Sequence, residues 1–185
     1  MKRTLVMMVM SLSFLSWTHA ADVKDLFDYY NKKEYEKACK VGLRIFNRYK
    51  KDSKFLMLYG LSCLKADYID RLAVPLTGLR KTKAERANAS YFATILLQKK
   101  LLYHSLLDDV DISGLKLPYT DYILSKVFDM YTRKEYRKEN GVYIFHPEDS
   151  RNTTYKLYID RNGTIPKMVI DVYENDHFFK RHRYW

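Results

Sequence analysis

The spacing of apolar residues changes once along this chain, at Asn140-Gly141, and the change limits the folds open to it. Before that point apolar residues recur every three or four positions, as in amphipathic helices. From Tyr155 to Ile159 they alternate with other side chains, as in half-buried strands. We therefore predict an α+β fold, with an α-helical body over residues 21–139 and a small antiparallel β-subdomain over residues 140–185 packed on the helices.

Capping and turn residues divide both halves into elements. Asp22 is expected to cap the first helix, and Thr120 the sixth. Thr82 and Glu85 have the spacing of a capping box, which predicts the start of a long fifth helix. Asn162-Gly163 has the residues that a hairpin turn with positive φ requires. Together these signals predict six helices followed by a meander of three or four strands.

Residues 1–20 have the parts of a secretory signal peptide: basic Lys2 and Arg3, an uncharged run, and small residues in Thr18-His19-Ala20. The uncharged run has about 13 residues, whereas a bilayer-spanning helix needs about 20. An uncleaved anchor is the alternative to cleavage before Ala21. The short hydrophobic region favours a bacterial signal, so we predict a periplasmic protein without a later transmembrane segment.

The basic charge of the chain does not by itself identify a partner. The net charge is +11, or +9 once Lys2 and Arg3 are removed. Basic chains bind nucleic acid, anionic membranes or acidic proteins, and export argues against nucleic acid. The cations are interleaved with acids along the whole chain, which is typical of a solvated surface.

The two cysteines, Cys39 and Cys63, are predicted to form a disulfide, because exported proteins reach an oxidising compartment. The alternative is a pair of separate buried thiols, which behave as small apolar residues.

Two stretches of the helical body resemble the tetratricopeptide (TPR) repeat at a shift of about 34 residues. In the first, residues 29–38 resemble the aromatic, turn, Tyr and Ala pattern of that family. In the second, Leu58-Tyr59-Gly60 resembles its Leu-Gly pair and Ala66-Asp67-Tyr68 its turn. The resemblance covers about residues 22–81. Ala73 lies one position out of register, no proline ends either unit, and a third unit lacks the small residues.

The resemblance implies an inner face, made by the first helix of each pair, that binds a segment of a partner protein. It also implies that the second helix packs on the third, where Cys39 and Cys63 would join them. The positions that match the ligand-facing sites of the family, with two neighbours, are Phe27, Tyr30, Asn31, Lys54, Met57, Leu61, Leu64 and Lys65. The alternative is that these residues are core covered by the fifth helix.

The last predicted strand interleaves aromatic and basic residues, which suits an anionic surface such as lipid head groups or an acidic polymer. The residues for that alternative function are Lys180, Arg181, Arg183 and Trp185. The competing interpretation is an edge strand whose charges prevent pairing between sheets.

We identify no catalytic constellation in the sequence. His104, His146, His177 and His182 have no metal-ligand spacing, and the nucleotide-binding and nucleophile motifs are missing. His177 and His182 should face opposite ways on their strand. We therefore expect no metal and no cofactor, and predict a non-enzymatic adaptor or assembly factor that binds a protein of the cell envelope.

Overall fold

The computed structural model of the protein describes residues 17–185, with side chains from Asp22 onward. It confirms the α+β class, because a helical body precedes a C-terminal antiparallel sheet. The helices are α1 (Trp17–Asn31), α2 (Tyr35–Tyr49), α3 (Ser53–Lys65), α4 (Ala73–Gly78), α5 (Lys83–Asp108) and α6 (Ile123–Thr132), with a 3₁₀ turn (Ile69–Leu72) before α4. The strands are β1 (Arg137–Glu139), β2 (Val142–Phe145), β3 (Thr153–Asp160), β4 (Lys167–Glu174) and β5 (His177–Tyr184), paired in chain order.

The start of α1 differs from the prediction that Asp22 caps it. The first 16 residues of the predicted signal peptide lie outside the described residues, and α1 begins at Trp17, within the last part of that segment. Asp22 therefore lies inside the helix. Its carboxylate pairs instead with Arg44 (3.2 Å) and Arg48 (2.9 Å) of α2, which ties α1 to α2.

Two glycines allow neighbouring helices to pack closely. A Cβ atom at Gly42 in α2 would overlap the ring of Tyr59 in α3, and one at Gly60 in α3 would overlap the ring of Phe92 in α5. Both rings are fully buried. Dense packing of this kind leaves no space for an added methyl group, so α2 packs closely on α3 at Tyr59, and α3 packs closely on α5 at Phe92.

The capping box before α5 is confirmed. Thr82 Oγ1 accepts a hydrogen bond from the amide of Glu85 (3.1 Å), and Glu85 Oε2 accepts one from the amide of Lys81 (2.8 Å). The prediction that Thr120 caps α6 was wrong, because the helix begins at Ile123 with Tyr122 at its N-cap and no side-chain cap. There Thr120 donates its amide to Ser125 Oγ (2.9 Å), which joins the preceding loop to the first turn.

The sheet has five strands, so the prediction of three or four was wrong. The additional strand is β1, which has only three residues, all charged and exposed. A strand of this kind has no apolar alternation, and sequence patterns do not reveal it. Asn140 and Gly141, both with positive φ, form the turn between β1 and β2. The sheet therefore begins at Arg137, before the expected boundary at residue 140.

One side of the sheet closes the core. Tyr155 and Leu157 of β3 lie opposite Val172 and Ile170 of β4, and all four are buried in the core. Another aromatic cluster links α6 to the sheet: the ring of Tyr131 lies 5.2 Å from that of Tyr143 in β2. The helices and the sheet therefore share one core.

Candidate functional site

The residues predicted to bind a partner lie on α1 and α3, and these two helices contact each other. Phe27 is 54% exposed, and Asn31, Lys54 and Lys65 are also exposed. Tyr30, Met57 and Leu61 are half-buried against the core. We call the set Phe27, Tyr30, Asn31, Lys54, Met57, Leu61 and Lys65 the α1–α3 face.

Leu64, the eighth predicted residue, is not on this surface. It is only 2% exposed and belongs to the hydrophobic core. Helix α5 borders the α1–α3 face, where the Asn88 side chain lies 3.5 Å from Met57 Sδ. Part of the predicted set is thus core, as the alternative interpretation expected, while Phe27 and the two lysines remain open to solvent.

The two predicted cysteines are brought together between α2 and α3. Cys39 and Cys63 form a disulfide, with their Cα atoms 4.8 Å apart, and both are fully buried. Arg71, from the 3₁₀ turn, places Nη1 at 3.5 Å from Cys39 Sγ and packs its guanidinium 4.7 Å from the ring centre of Tyr68. The disulfide therefore fixes the α2–α3 packing.

A second polar cluster, which the sequence did not predict, lies where the helical body meets β5. Asp67, in the turn after α3, accepts a hydrogen bond from the hydroxyl of Tyr122 (2.6 Å). His182 Nδ1 lies 2.8 and 3.0 Å from the two oxygens of the same carboxylate. Tyr122 and Tyr184 share a further contact of 3.2 Å between their hydroxyls. We call Asp67, Tyr122, His182 and Tyr184 the junction cluster.

Burial determines the titration of the two phenols in the junction cluster. Burial, with the charge of Asp67 adding to it, raises the pKa of Tyr184 well above its usual range. Burial is also the main reason that the pKa of Tyr122 is raised, and the neighbouring Tyr184 and Asp67 raise it further. Both phenols therefore stay protonated at neutral pH and serve as hydrogen-bonding groups.

A buried lysine lies beside this cluster. Lys99 in α5 is 1% exposed, and its ammonium group contacts Asp70 (2.9 Å) and the backbone oxygen of Trp185. Burial lowers the pKa of Lys99, although its pairing with Asp70 opposes this effect. Burial disfavours the charge of Asp70, but hydrogen bonds from Lys100 and Lys99 outweigh it, and the pKa of Asp70 is lowered. A buried charge needs such partners to be tolerated.

A cavity of about 230 Å³ opens next to Lys99. It is lined by Asp67, Tyr68, Ile69, Asp70, Arg71, Lys99, Tyr184 and Trp185. Among the charged groups of this lining, Asp67 belongs to the junction cluster, Asp70 pairs with Lys99, and Arg71 stacks on Tyr68. Of these polar contacts, the one between Asp67 and His182 joins the helical body to β5.

The signal for the junction cluster is present in the sequence but is weak. His182 and Tyr184 are two residues apart on a strand, so both face inward, and His182 is buried while His177 is exposed. The expectation that the two histidines face opposite ways was wrong: an extra residue in β5, Phe179, reverses the alternation, so His177, opposite Glu174, and His182, opposite Ile170, lie on the same side of the sheet. Asp67, however, is 115 positions from His182, and no local pattern connects them.

The residues proposed for anionic surfaces divide between two environments. Arg181 pairs with Asp171 through two hydrogen bonds, of 2.6 and 2.7 Å, which raise its pKa, and Arg183 is exposed across from Val169. Lys180 lies opposite core residue Val172 but is itself exposed. The ring of Trp185 lies 6.3 Å from that of Tyr68.

The side of the sheet opposite the core carries more cations than the sequence analysis found. Lys156 of β3 lies over the ring of Tyr173 (4.3 Å), and the Tyr158 hydroxyl donates to Asp171 (3.1 Å). Strand register places on this side Arg137, Glu139, Val142, Ile144, Thr154, Lys156, Tyr158, Asp160, Lys167, Val169, Asp171, Tyr173, Phe178, Arg181 and Arg183, and we call them the outer face. Lys156 was missed because single strands do not show which cations become neighbours.

Comparison with protein-family models, with curated proteins and with solved structures finds no match. Over residues 17–185 no helix has both the length and the apolar character that a bilayer span requires. The same part of the chain holds no group of three or more histidine, cysteine or acidic side chains placed to bind a metal ion.

Proposed function

We propose that the protein is an exported, non-enzymatic adaptor or assembly factor that binds a protein partner in the periplasm through the α1–α3 face. The observation that carries the proposal is Phe27, whose large apolar ring is 54% exposed on a helix that packs on its neighbours. Exposed aromatic rings surrounded by polar groups are typical of binding hot spots. The TPR resemblance of residues 22–81 supports the same face.

The chemistry of the α1–α3 face suggests the character of the partner. Met57 and Leu61 are half-buried beside exposed Lys54 and Lys65. An apolar side chain of the partner would cover the first pair, and acidic residues at its ends would meet the two lysines. We therefore expect an amphipathic, acidic segment, helical or extended, rather than a small molecule.

Site-specific photo-crosslinking in the native cell envelope tests this proposal. A photoreactive amino acid replaces Asn31 on the α1–α3 face in one variant and Asn47, exposed on α2, in the control. We expect a discrete adduct only from position 31, and mass spectrometry identifies the partner. Identical adducts from both positions would contradict the proposal.

Substitution of Phe27 then measures the contribution of the face. Truncation of a hot-spot aromatic costs about 2 kcal/mol, so Phe27→Ala should weaken binding to the identified partner by about 30-fold. Leu43→Ala, a similarly exposed apolar site on α2, is the matched control and should change the affinity less than twofold. Equal effects of the two substitutions would place the binding surface elsewhere.

Export is tested separately. Osmotic-shock fractionation should release the protein with periplasmic markers, and sequencing of its N-terminus should begin at Ala21. An intact Met1 start in the cytoplasmic fraction would remove the periplasmic part of the proposal.

A further inference from the structure

The outer face of the sheet has an excess of positive charge that the helical-body function does not use. Strand register gives it five cations, Arg137, Lys156, Lys167, Arg181 and Arg183, against three acids, Glu139, Asp160 and Asp171. Arg181 is the partner of Asp171. Neither Lys156 nor Arg183 has a carboxylate partner among the described side chains, so these two charges remain free to meet an anion.

The cations are held in place by the sheet. Asp171 is 3% exposed and orients Arg181 through a two-pronged hydrogen-bonded pair, while Tyr158 donates to the same carboxylate. The Lys156 ammonium rests on the ring of Tyr173. Fixed side chains lose less conformational freedom when they bind than mobile ones do, so this face is prepared for a broad anionic surface.

Two adjacent apolar rings are exposed at the start of β5, and the first of them, Phe178, lies on the outer face. Phe178 packs edge-on against Tyr173 (5.9 Å between ring centres) and is 55% exposed, and Phe179 is 63% exposed. The register is irregular here, since Tyr173 lies opposite Phe178 while Val172 lies opposite Lys180, which leaves Phe179 as an extra residue. Two neighbouring phenylalanine rings that stay in water do not contribute to the folding stability of a monomer.

We propose that the outer face docks this protein on an anionic lipid bilayer, with Lys156, Arg181 and Arg183 against the head groups and Phe178 and Phe179 in the interfacial layer. Basic residues attract anionic lipid, and aromatic rings favour the region between water and hydrocarbon. The exposed phenylalanine rings favour a bilayer over an acidic polymer, because a bilayer buries their apolar area at the boundary between head groups and acyl chains.

Vesicle co-sedimentation of the full-length mature protein tests the docking. The probes are vesicles of phosphatidylcholine alone and of phosphatidylcholine with one third phosphatidylglycerol. We expect binding only to the second kind, and a steep loss of affinity as salt rises from ~0.05 to ~0.5 M, because exposed charges are screened. Equal binding to both kinds of vesicle would overturn the proposal.

Two pairs of variants assign the contact. Lys156→Gln with Arg183→Gln should weaken binding by about 25-fold, or about fivefold for each cation lost. The control, Lys50→Gln with Lys51→Gln in the turn between α2 and α3, removes the same charge from two exposed lysines and should weaken binding less than twofold. An equal loss from both pairs would show that net charge alone acts, and would overturn the assignment.

The aromatic part of the contact and the acidic-polymer alternative are tested in the same assay. Phe178→Ser with Phe179→Ser should lower vesicle affinity while leaving its salt dependence unchanged. Thermal melting of each variant verifies that it is folded. Binding to soluble dextran sulfate without binding to vesicles would overturn the bilayer proposal in favour of a polymer. The vesicle assay is independent of the proposed function: vesicle binding would still support the docking if no partner were crosslinked at the α1–α3 face.

Discussion

At the scale of single residues, Asp67 does two things at once. Its backbone is left-handed (φ 63°), which most side chains resist but Asp and Asn tolerate. Its carboxylate accepts a hydrogen bond from the Tyr122 hydroxyl and contacts Nδ1 of His182. A single residue thus turns the chain after α3 and joins the helical body to β5.

The substitution Asp67→Asn separates these two roles. Asparagine tolerates the left-handed backbone of this turn but lacks the negative charge that Tyr122 and His182 contact. Because hydrogen bonds to a charged group contribute about 1.5–3 kcal/mol, we expect the free energy of unfolding to fall by about 2 kcal/mol in urea titrations. Asp67→Ala should lose about 1 kcal/mol more through backbone strain. The exposed control Asp25→Asn should change little, and a neutral Asp67→Asn would mean that the cluster does not stabilise the fold.

At the scale of elements, local signals predicted the helices well and the sheet boundary poorly. The Thr82–Glu85 capping box involves residues three apart, so its geometry is fixed by the sequence nearby. Strand β1 is a short charged segment that pairs only because β2 lies beside it. The residues of the outer face could not be predicted from β5 alone. Lys156 lies on β3 and comes to this face only through the pairing of the strands.

The close approach of α3 and α5 at Gly60 makes a clear prediction. Alanine favours a helix interior over glycine by about 1 kcal/mol, but its methyl group would overlap the buried ring of Phe92. Overpacking costs about 1–3 kcal/mol, so we expect Gly60→Ala to lower the thermal midpoint. Adding Phe92→Leu should make Gly60→Ala less harmful than it is in the wild-type background. If the two effects are additive, the steric explanation is wrong.

The disulfide between α2 and α3 gives a second prediction at this scale. It closes a loop with a sequence separation of 24, and the chain-entropy estimate for such a loop is about 3 kcal/mol. Cys39→Ala with Cys63→Ala should lower the free energy of unfolding by about that amount. Dithiothreitol should destabilise the wild-type protein after unfolding exposes the bond, and should leave the double variant unchanged. Two free thiols in native exported protein would contradict the pairing.

At the scale of the whole molecule, the chain contains 17 tyrosines, five of which are buried. Burial raises the pKa of Tyr131 to about 12 and also raises the pKa of Tyr122, Tyr155 and Tyr184. These phenols keep their protons in the folded state above about pH 10, where unfolded tyrosines lose them. The stability they contribute is therefore complete below about pH 10 and is lost as pH rises through the folded pKa values.

Alkaline titration of stability tests this account. Each such tyrosine should remove about 1.4 kcal/mol per pH unit between about pH 10 and its folded pKa. Tyr131→Phe should make the decline of the urea midpoint less steep between about pH 10 and 11.5. Tyr119→Phe, at a side chain that is 58% exposed, should not. Absorbance of tyrosinate during the same titration shows when each variant ionises, and identical slopes would contradict the assignment to Tyr131.

The contact between Asp67 and His182 also has a consequence for how the chain is made. The ribosome produces the turn at Asp67 long before it reaches His182, 115 positions later. Until then the Asp67 carboxylate lacks His182, and Lys99 is paired with Asp70 but lacks the backbone oxygen of Trp185. A chain that ends before β5 would therefore lack the contacts that join the last strand to the helical body, and full stability requires the last strand.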